Sequence, residues 1–165
     1  LKILLLSVGA VKKPFYKAGI DEYLKRIKRY ASIESAEVKD ETASLKMPRT
    51  EVLRREGERL GKRLLNTDYL VTLIDGSSGG KNFSTEKFSR YMEDTLSAAS
   101  GRAIGKKRLV FIVGGAYGLS PELLDRSELR LSLSAMTLPH ELARLVLAEQ
   151  LYRAFTVIRG EPYSH

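Results

Sequence analysis

Apolar and polar positions alternate between two periods along the chain, and the switch between them predicts its elements. Residues 1–9 form an apolar run read as a strand. Over 15–30, Tyr16, Ile20, Tyr23, Leu24 and Ile27 recur at helical spacing. Residues 33–39 alternate weakly and read as a second strand, and 40–47 as a polar loop. Leu53, Gly57, Leu60 and Leu64 make one stripe of a helix over 50–65. A β-rich apolar strand at 69–74 runs into Asp75-Gly76-Ser77-Ser78-Gly79-Gly80, a flexible turn or loop. Ser84 is placed to cap a helix reaching about residue 99, with Phe83 and Phe88 at the positions of a hydrophobic staple.

The strand at 108–113 is continuously apolar after its first position, as expected of a central strand buried on both faces. Ser120 and Pro121 open a short helix, 129–134 is the last strand, and 139–155 the last helix, with 157–165 unassigned. Strands alternating with helices predict βαβ units, a mainly parallel sheet and a three-layer α/β sandwich in one domain over 1–165. The last helix is apolar nearly all round, through Leu142, Leu145, Val146, Leu147, Leu151 and Phe155. Such a helix is buried on more than one side, either inside the domain or against a second subunit, and the dimer interface is the favoured reading.

Composition narrows the chemistry. The chain has no cysteine, which removes disulfides, thiolate metal sites and cysteine nucleophiles and fits a reducing compartment. Its only histidines are His140 and His165, so no metal site is expected. The apolar run 3–8 is too short to span a membrane and lacks a signal-peptide cleavage pattern. The net charge of +8 points to a polyanion, with RNA or DNA ahead of simple surface solvation. The cations cluster: Lys12, Lys13 and Lys17; Lys25, Arg26, Lys28 and Arg29; Arg54, Arg55, Arg59, Lys62 and Arg63; Arg102, Lys106, Lys107 and Arg108.

Two segments carry the strongest functional signal. Val110 to Gly115, continuing through Tyr117 and Gly118 to Pro121, and Leu131 to His140 are each a strand, then a loop of small residues, then a helix start. Side by side at the C-terminal edge of a parallel sheet, they would lie where open α/β folds bind ligands. Neither G-x-G-x-x-G nor a P-loop pattern occurs, which sets a nicotinamide enzyme far back. Gly114, Gly115 and Gly118 permit close backbone approach and positive φ, suiting a flat ring or a sulfonium-bearing ligand, or else only a tight turn. The loop 134–138 could wrap an adenine. Arg144 and Arg153 interrupt the apolar helix and suit a phosphate or base, while Glu149 one turn from Arg153 suits an ion pair equally.

These segments, with 1–9, Thr72-Leu73, the stretch from Arg144 to Ala154 and the ending Arg159-Gly160-Glu161-Pro162-Tyr163, closely resemble the ribosomal RNA large subunit methyltransferase H family over essentially the full length. The resemblance implies a SPOUT-class fold whose C-terminal segment threads a trefoil knot, a cytoplasmic homodimer, and S-adenosylmethionine bound in the knot. It implies methylation of N3 of a pseudouridine in helix 69 of large-subunit (23S) ribosomal RNA, on the assembled ribosome, without a metal. Carried over by motif, the cofactor residues are Leu73, Gly114, Leu133, Ser134, Ala135, Met136, Thr137 and Leu138. Arg144, Arg153 and Tyr163 are the candidates for positioning the nucleotide. The family closes on an adjacent Tyr-His pair, whereas Ser164 here separates Tyr163 from His165. The rival readings are a SPOUT enzyme with another RNA target and a non-catalytic RNA-binding protein.

Overall fold

A computed structural model describes residues 1–41, 46–97, 103 and 105–163. Residues 42–45 of the polar loop, 98–99 of the third helix, Arg102, Ser164 and His165 lie outside the described residues. The elements run β1 (Lys2–Val8), α1 (Pro14–Ile27), β2 (Ile33–Val38), α2 (Arg49–Gly61), β3 (Asp68–Leu73), a 3₁₀ turn (Gly76–Ser78), β4 (Lys81–Asn82), α3 (Thr85–Leu96), β5 (Arg108–Val113), α4 (Pro121–Arg126), β6 (Leu129–Ser132) and α5 (His140–Ile158). The sheet is parallel throughout, in the order β2-β1-β5-β3-β6-β4.

The continuously apolar strand 108–113 is indeed inside the sheet, between β1 and β3, with Leu109 to Ile112 fully buried. At its N-terminal end Arg108 stands in register with Asp68 on β3. The guanidinium donates to both carboxylate oxygens of this buried aspartate, at 2.9 and 2.7 Å. That two-pronged pair fixes the alignment of the two central strands.

Each strand face supplies one core. On one side Ile3, Leu5, Val71, Leu109 and Phe111 meet α1, α3 and α5. On the other, Leu4, Leu6, Leu70, Val110 and Ile112 meet Leu60 of α2 and Leu123 of α4. Helix α5 lies between α1 and α3. Its wide apolar surface is thus largely used inside the protomer: Leu147 and Leu151 are fully buried there, and Phe155 stacks on Tyr30. Leu145 comes so close to Gly19 of α1 that a Cβ there would meet it at 2.8 Å.

Two caps differ in kind. Ser84 accepts from the Lys87 N–H at 3.2 Å, whereas Ser120 has N-cap backbone geometry but makes no side-chain cap bond. The Ser120 hydroxyl instead lies against Gly57 of α2, which has no room for a side chain there. At the positions expected to form a staple, Phe83 packs on Tyr91 and Phe88 on Phe111. Among the described residues, no helix is long and apolar enough to cross a membrane.

Candidate active site

The C-terminal ends of β3, β5 and β6 lie next to one another, so the loops that leave them converge. Between them is a cavity of ≈ 450 Å³. That volume lies within the usual range for cofactor sites. Leu73, Gly114, Leu133, Ser134, Met136, Thr137 and Leu138 line it, and Ala135 does not. The Ala135 Cα instead backs onto Gly76.

The first and third loops are in backbone contact. A Cβ on Gly76 would meet the Ser134 carbonyl oxygen at 2.7 Å, and one on Gly80 would meet the Ser132 Cβ at 2.8 Å. Asp75 ties these loops together. Its Oδ2 accepts from the Thr137 hydroxyl at 2.6 Å, and its Oδ1 accepts from the Ser77 N–H and hydroxyl at 3.0 Å each. The Thr137 bond, with the Ser77 bonds behind it, holds the Asp75 carboxyl below its ordinary pKa.

The β6–α5 connection folds on itself through Ser134: Ser132 Oγ donates to its carbonyl at 2.8 Å, and the Met136 N–H donates to its hydroxyl at 2.9 Å. Residues 133–139 belong to no strand or helix, which keeps their main-chain groups out of the ladders.

In the middle loop the positive φ falls on Gly118, at 84°, not on Gly114 or Gly115. Gly114 is instead pressed against the Gly118 main chain, and a two-residue bridge joins Gly115 to Gly118. The glycine requirement at 114 therefore comes from the loop closing on itself, in place of the positive φ expected of it. Glu56 of α2 lies behind Gly115, 2 % exposed, with Oε1 accepting from the Glu41 N–H and Oε2 without a partner. Desolvation raises its pKa.

The cavity tests well against S-adenosylmethionine. Leu73, Val113, Leu133 and Leu138 offer apolar walls for a flat ring, and the loop main chain that lies outside the sheet ladder and the helix offers donors and acceptors for its edge. Asp75 and Thr137 add a polar corner.

The three nucleotide-positioning candidates lie outside this cavity and in two places. Arg144 is 5 % exposed and points under the end of β1, donating to the Val8 carbonyl, to the Gly9 carbonyl at 2.7 Å and to Glu37 at 3.0 Å. Arg153 and Tyr163 are together near the far end of α5. Arg153 donates to Glu149 Oε1 at 2.9 and 2.7 Å, the ion pair that the spacing also allowed. Tyr163 donates to the same oxygen at 2.7 Å, with its ring 3.7 Å from the Arg153 guanidinium carbon. Burial, then the bond to Glu149, pushes the Tyr163 phenol up, so it stays protonated.

Several lining residues had no clear signal in the sequence. Asp75 lay in a segment read only as a turn. Arg49 stands over the Tyr117 ring at 5.7 Å, from a helix start 68 residues away. His140, at the mouth, is held below its ordinary pKa by partial burial and by the nearby Arg144 charge.

A family model described as predicted SPOUT methyltransferase matches residues 1–165. The chain is 40% identical over 166 residues to Ribosomal RNA large subunit methyltransferase H of Carboxydothermus hydrogenoformans, covering 99% of each. It is 41% identical, with the same coverage, to the protein of that name from Acetivibrio thermocellus. A probable methylase family protein from Haemophilus influenzae Rd KW20 shares the fold at a TM-score of 0.53 and 11% identity, over 96% of this chain and 66% of that one.

Proposed function

The chain belongs to the SPOUT methyltransferase family, and from that premise we propose that it methylates N3 of a pseudouridine in helix 69 of large-subunit ribosomal RNA, on the assembled ribosome. It is an S-adenosylmethionine-dependent ribosomal RNA methyltransferase. The observation that carries the reading is the cavity closed by three strand-end loops and pinned by Asp75 to Thr137. The same reading includes a C-terminal segment threaded as a trefoil knot, a homodimer and a cytoplasmic location.

When bound, S-adenosylmethionine supplies a methyl group on positively charged sulfur, an electrophile that needs no metal to activate it. Leu73, Leu133 and Leu138 would flank its ring system, the 134–138 main chain would read the edge, and the Gly114 loop would form the opposite wall. The methyl group it supplies would pass to N3 of the pseudouridine, whose proton would go to solvent water. The protein's part is alignment and exclusion of water. Arg153 and Tyr163, braced by Glu149, orient the nucleotide and offset the charge that develops on its ring. Arg144 acts from a distance as a positioning residue, holding the Val8-Gly9 turn.

Within one protomer, Arg153 lies 13 residues along α5 from His140 at the cavity mouth, about 20 Å at helical rise. One nucleotide cannot touch both ends of that helix. In this account a second protomer, reversed against the first, brings its Arg153 and Tyr163 to the cavity.

The test is methyl incorporation from labelled S-adenosylmethionine, with the product located by mass mapping. Ribosomes carrying the pseudouridine are methylated efficiently at N3, while naked RNA and the uridine form react weakly. Equal rates on a free hairpin would remove the ribosome from the account, and methylation elsewhere would remove the target.

A further inference from the structure

Strand β5 is followed by α4, on the opposite face of the sheet from α1 and α3, which follow β1 and β3–β4. Connections therefore diverge on both sides of β5. Open α/β sheets bind ligands where neighbouring connections diverge, outside the carboxyl ends of the strands. One such crevice, between β5 and β3, is the methyl-donor cavity. The other opens from β5 across β1 to β2, where α1 and α5 border a second cavity of ≈ 380 Å³. Val113 lines both.

Leu5, Ile20 and Leu147 give the second cavity apolar walls. Its charged groups are balanced and already paired: Lys17 with Asp21 at 2.7 Å, and Arg144 with Glu37 at 3.0 Å. Such a lining has no surplus charge for a bare anion. It offers donors and acceptors alternately around an apolar slot, which suits a neutral flat ring with a polar edge. Outside the slot the surface changes. Lys12 and Lys13 are exposed just before α1, and Phe15 is 63% exposed on its first turn. Cations for phosphates and an open aromatic face for stacking are what single-stranded RNA meets on its binding proteins.

We propose that this second crevice receives an unstacked base of the ribosomal RNA substrate, with Phe15, outside the slot, stacking a neighbouring base and Lys12 and Lys13 on the flanking phosphates. The proposal rests on the ribosomal RNA methyltransferase reading and adds a recognition point next to the methyl-donor cavity. Arg144 and Glu37, paired at 3.0 Å, form one wall of the slot.

The test uses Ser35→Leu, which fills the slot from an exposed position on β2, and Phe15→Ala, which removes the exposed ring. Amide shifts of the intact protein are followed by NMR during titration with uridine 5′-monophosphate, with inorganic phosphate as control. The nucleotide shifts Val11, Lys17 and Ser35 in the wild type and leaves the same amides unmoved in Ser35→Leu. In methylation assays both variants raise KM for ribosomes about tenfold, while calorimetric affinity for S-adenosylmethionine stays at the wild-type value. Unchanged KM in both variants, equal shifts with phosphate alone, or no shift at millimolar nucleotide overturns the proposal. Failure of the wild type to bind S-adenosylmethionine would instead strike the enzyme reading, and the uridine titration would still report on the slot.

Discussion

A methyl group added at Gly114 would come within 2.3 Å of the Gly118 carbonyl oxygen, whereas one added at Gly118 meets nothing within 4 Å. The strained backbone is at Gly118. Gly114→Ala therefore forces the loop open and lowers stability by about 2–3 kcal/mol, with loss of S-adenosylmethionine binding. Gly118→Ala costs only about 1–2 kcal/mol from its left-handed φ. Thermal melts beside calorimetric titrations of the two variants check this order. The glycine spacing was plain in the sequence, but which glycine needs its freedom was not, because that depends on how the loop turns back. Asp75 was hidden for a similar reason: its partner Thr137 lies 62 residues on. Its depressed pKa gives the effect a sign. The carboxylate form is favoured in the folded protein, so its stabilisation is complete above the ordinary carboxylate range and disappears as pH falls through the lowered value. Asp75→Asn weakens S-adenosylmethionine binding about tenfold at neutral pH and removes the acid-side fall in affinity that the wild type shows. A variant with an unchanged acid limb would show that another group sets it.

At the scale of elements, periodicity placed the helices and the long strands well, because each shows one apolar face to the sheet. The short pieces escaped it. β4 has two residues, Lys81 and Asn82, both exposed, and its pairing with β6 is a backbone event without an apolar signature. Helix α5 shows the opposite problem. Its pattern correctly announced burial on several sides, but α1, α3 and the sheet within the protomer account for much of it. Alignment of the central strands depends on Arg108 and Asp68, and the aspartate is the more buried partner. Arg108→Ala leaves that buried carboxylate without its cation and lowers unfolding free energy by about 3 kcal/mol, read from the urea midpoint. Restoring most of the loss with Asp68→Asn in the same chain would show that the stranded charge, not lost packing, sets the cost.

At the scale of the whole molecule, the α/β sandwich and a cavity at the carboxyl ends of its strands were legible, since strand ends followed by small-residue loops lead there in any parallel sheet. The separation of the cavity from Arg153 along α5 was not, because chain distance along a helix becomes a separation only once its start is placed in the cavity. That separation makes a sharp prediction. Mixing a Gly114→Ala protomer with an Arg153→Ala protomer yields heterodimers with one intact composite site, and methylation returns to roughly a quarter of the wild-type rate per protomer on random pairing. Mixtures as inactive as either variant alone would place cavity and Arg153 in the service of separate steps.

The rims of the sheet bear on how a second copy can approach. One rim is β4, too short to template a strand, and the other is β2, where Glu34 is exposed. A second copy that tried to continue the ladder there would bring its own Glu34 toward that carboxylate, a like-charge contact that natural sheets use to stay apart. Growth sideways into fibres is thereby discouraged from both margins. Any companion must settle on the helical faces, where the number of partners is limited by shape and assembly stops once that face is covered.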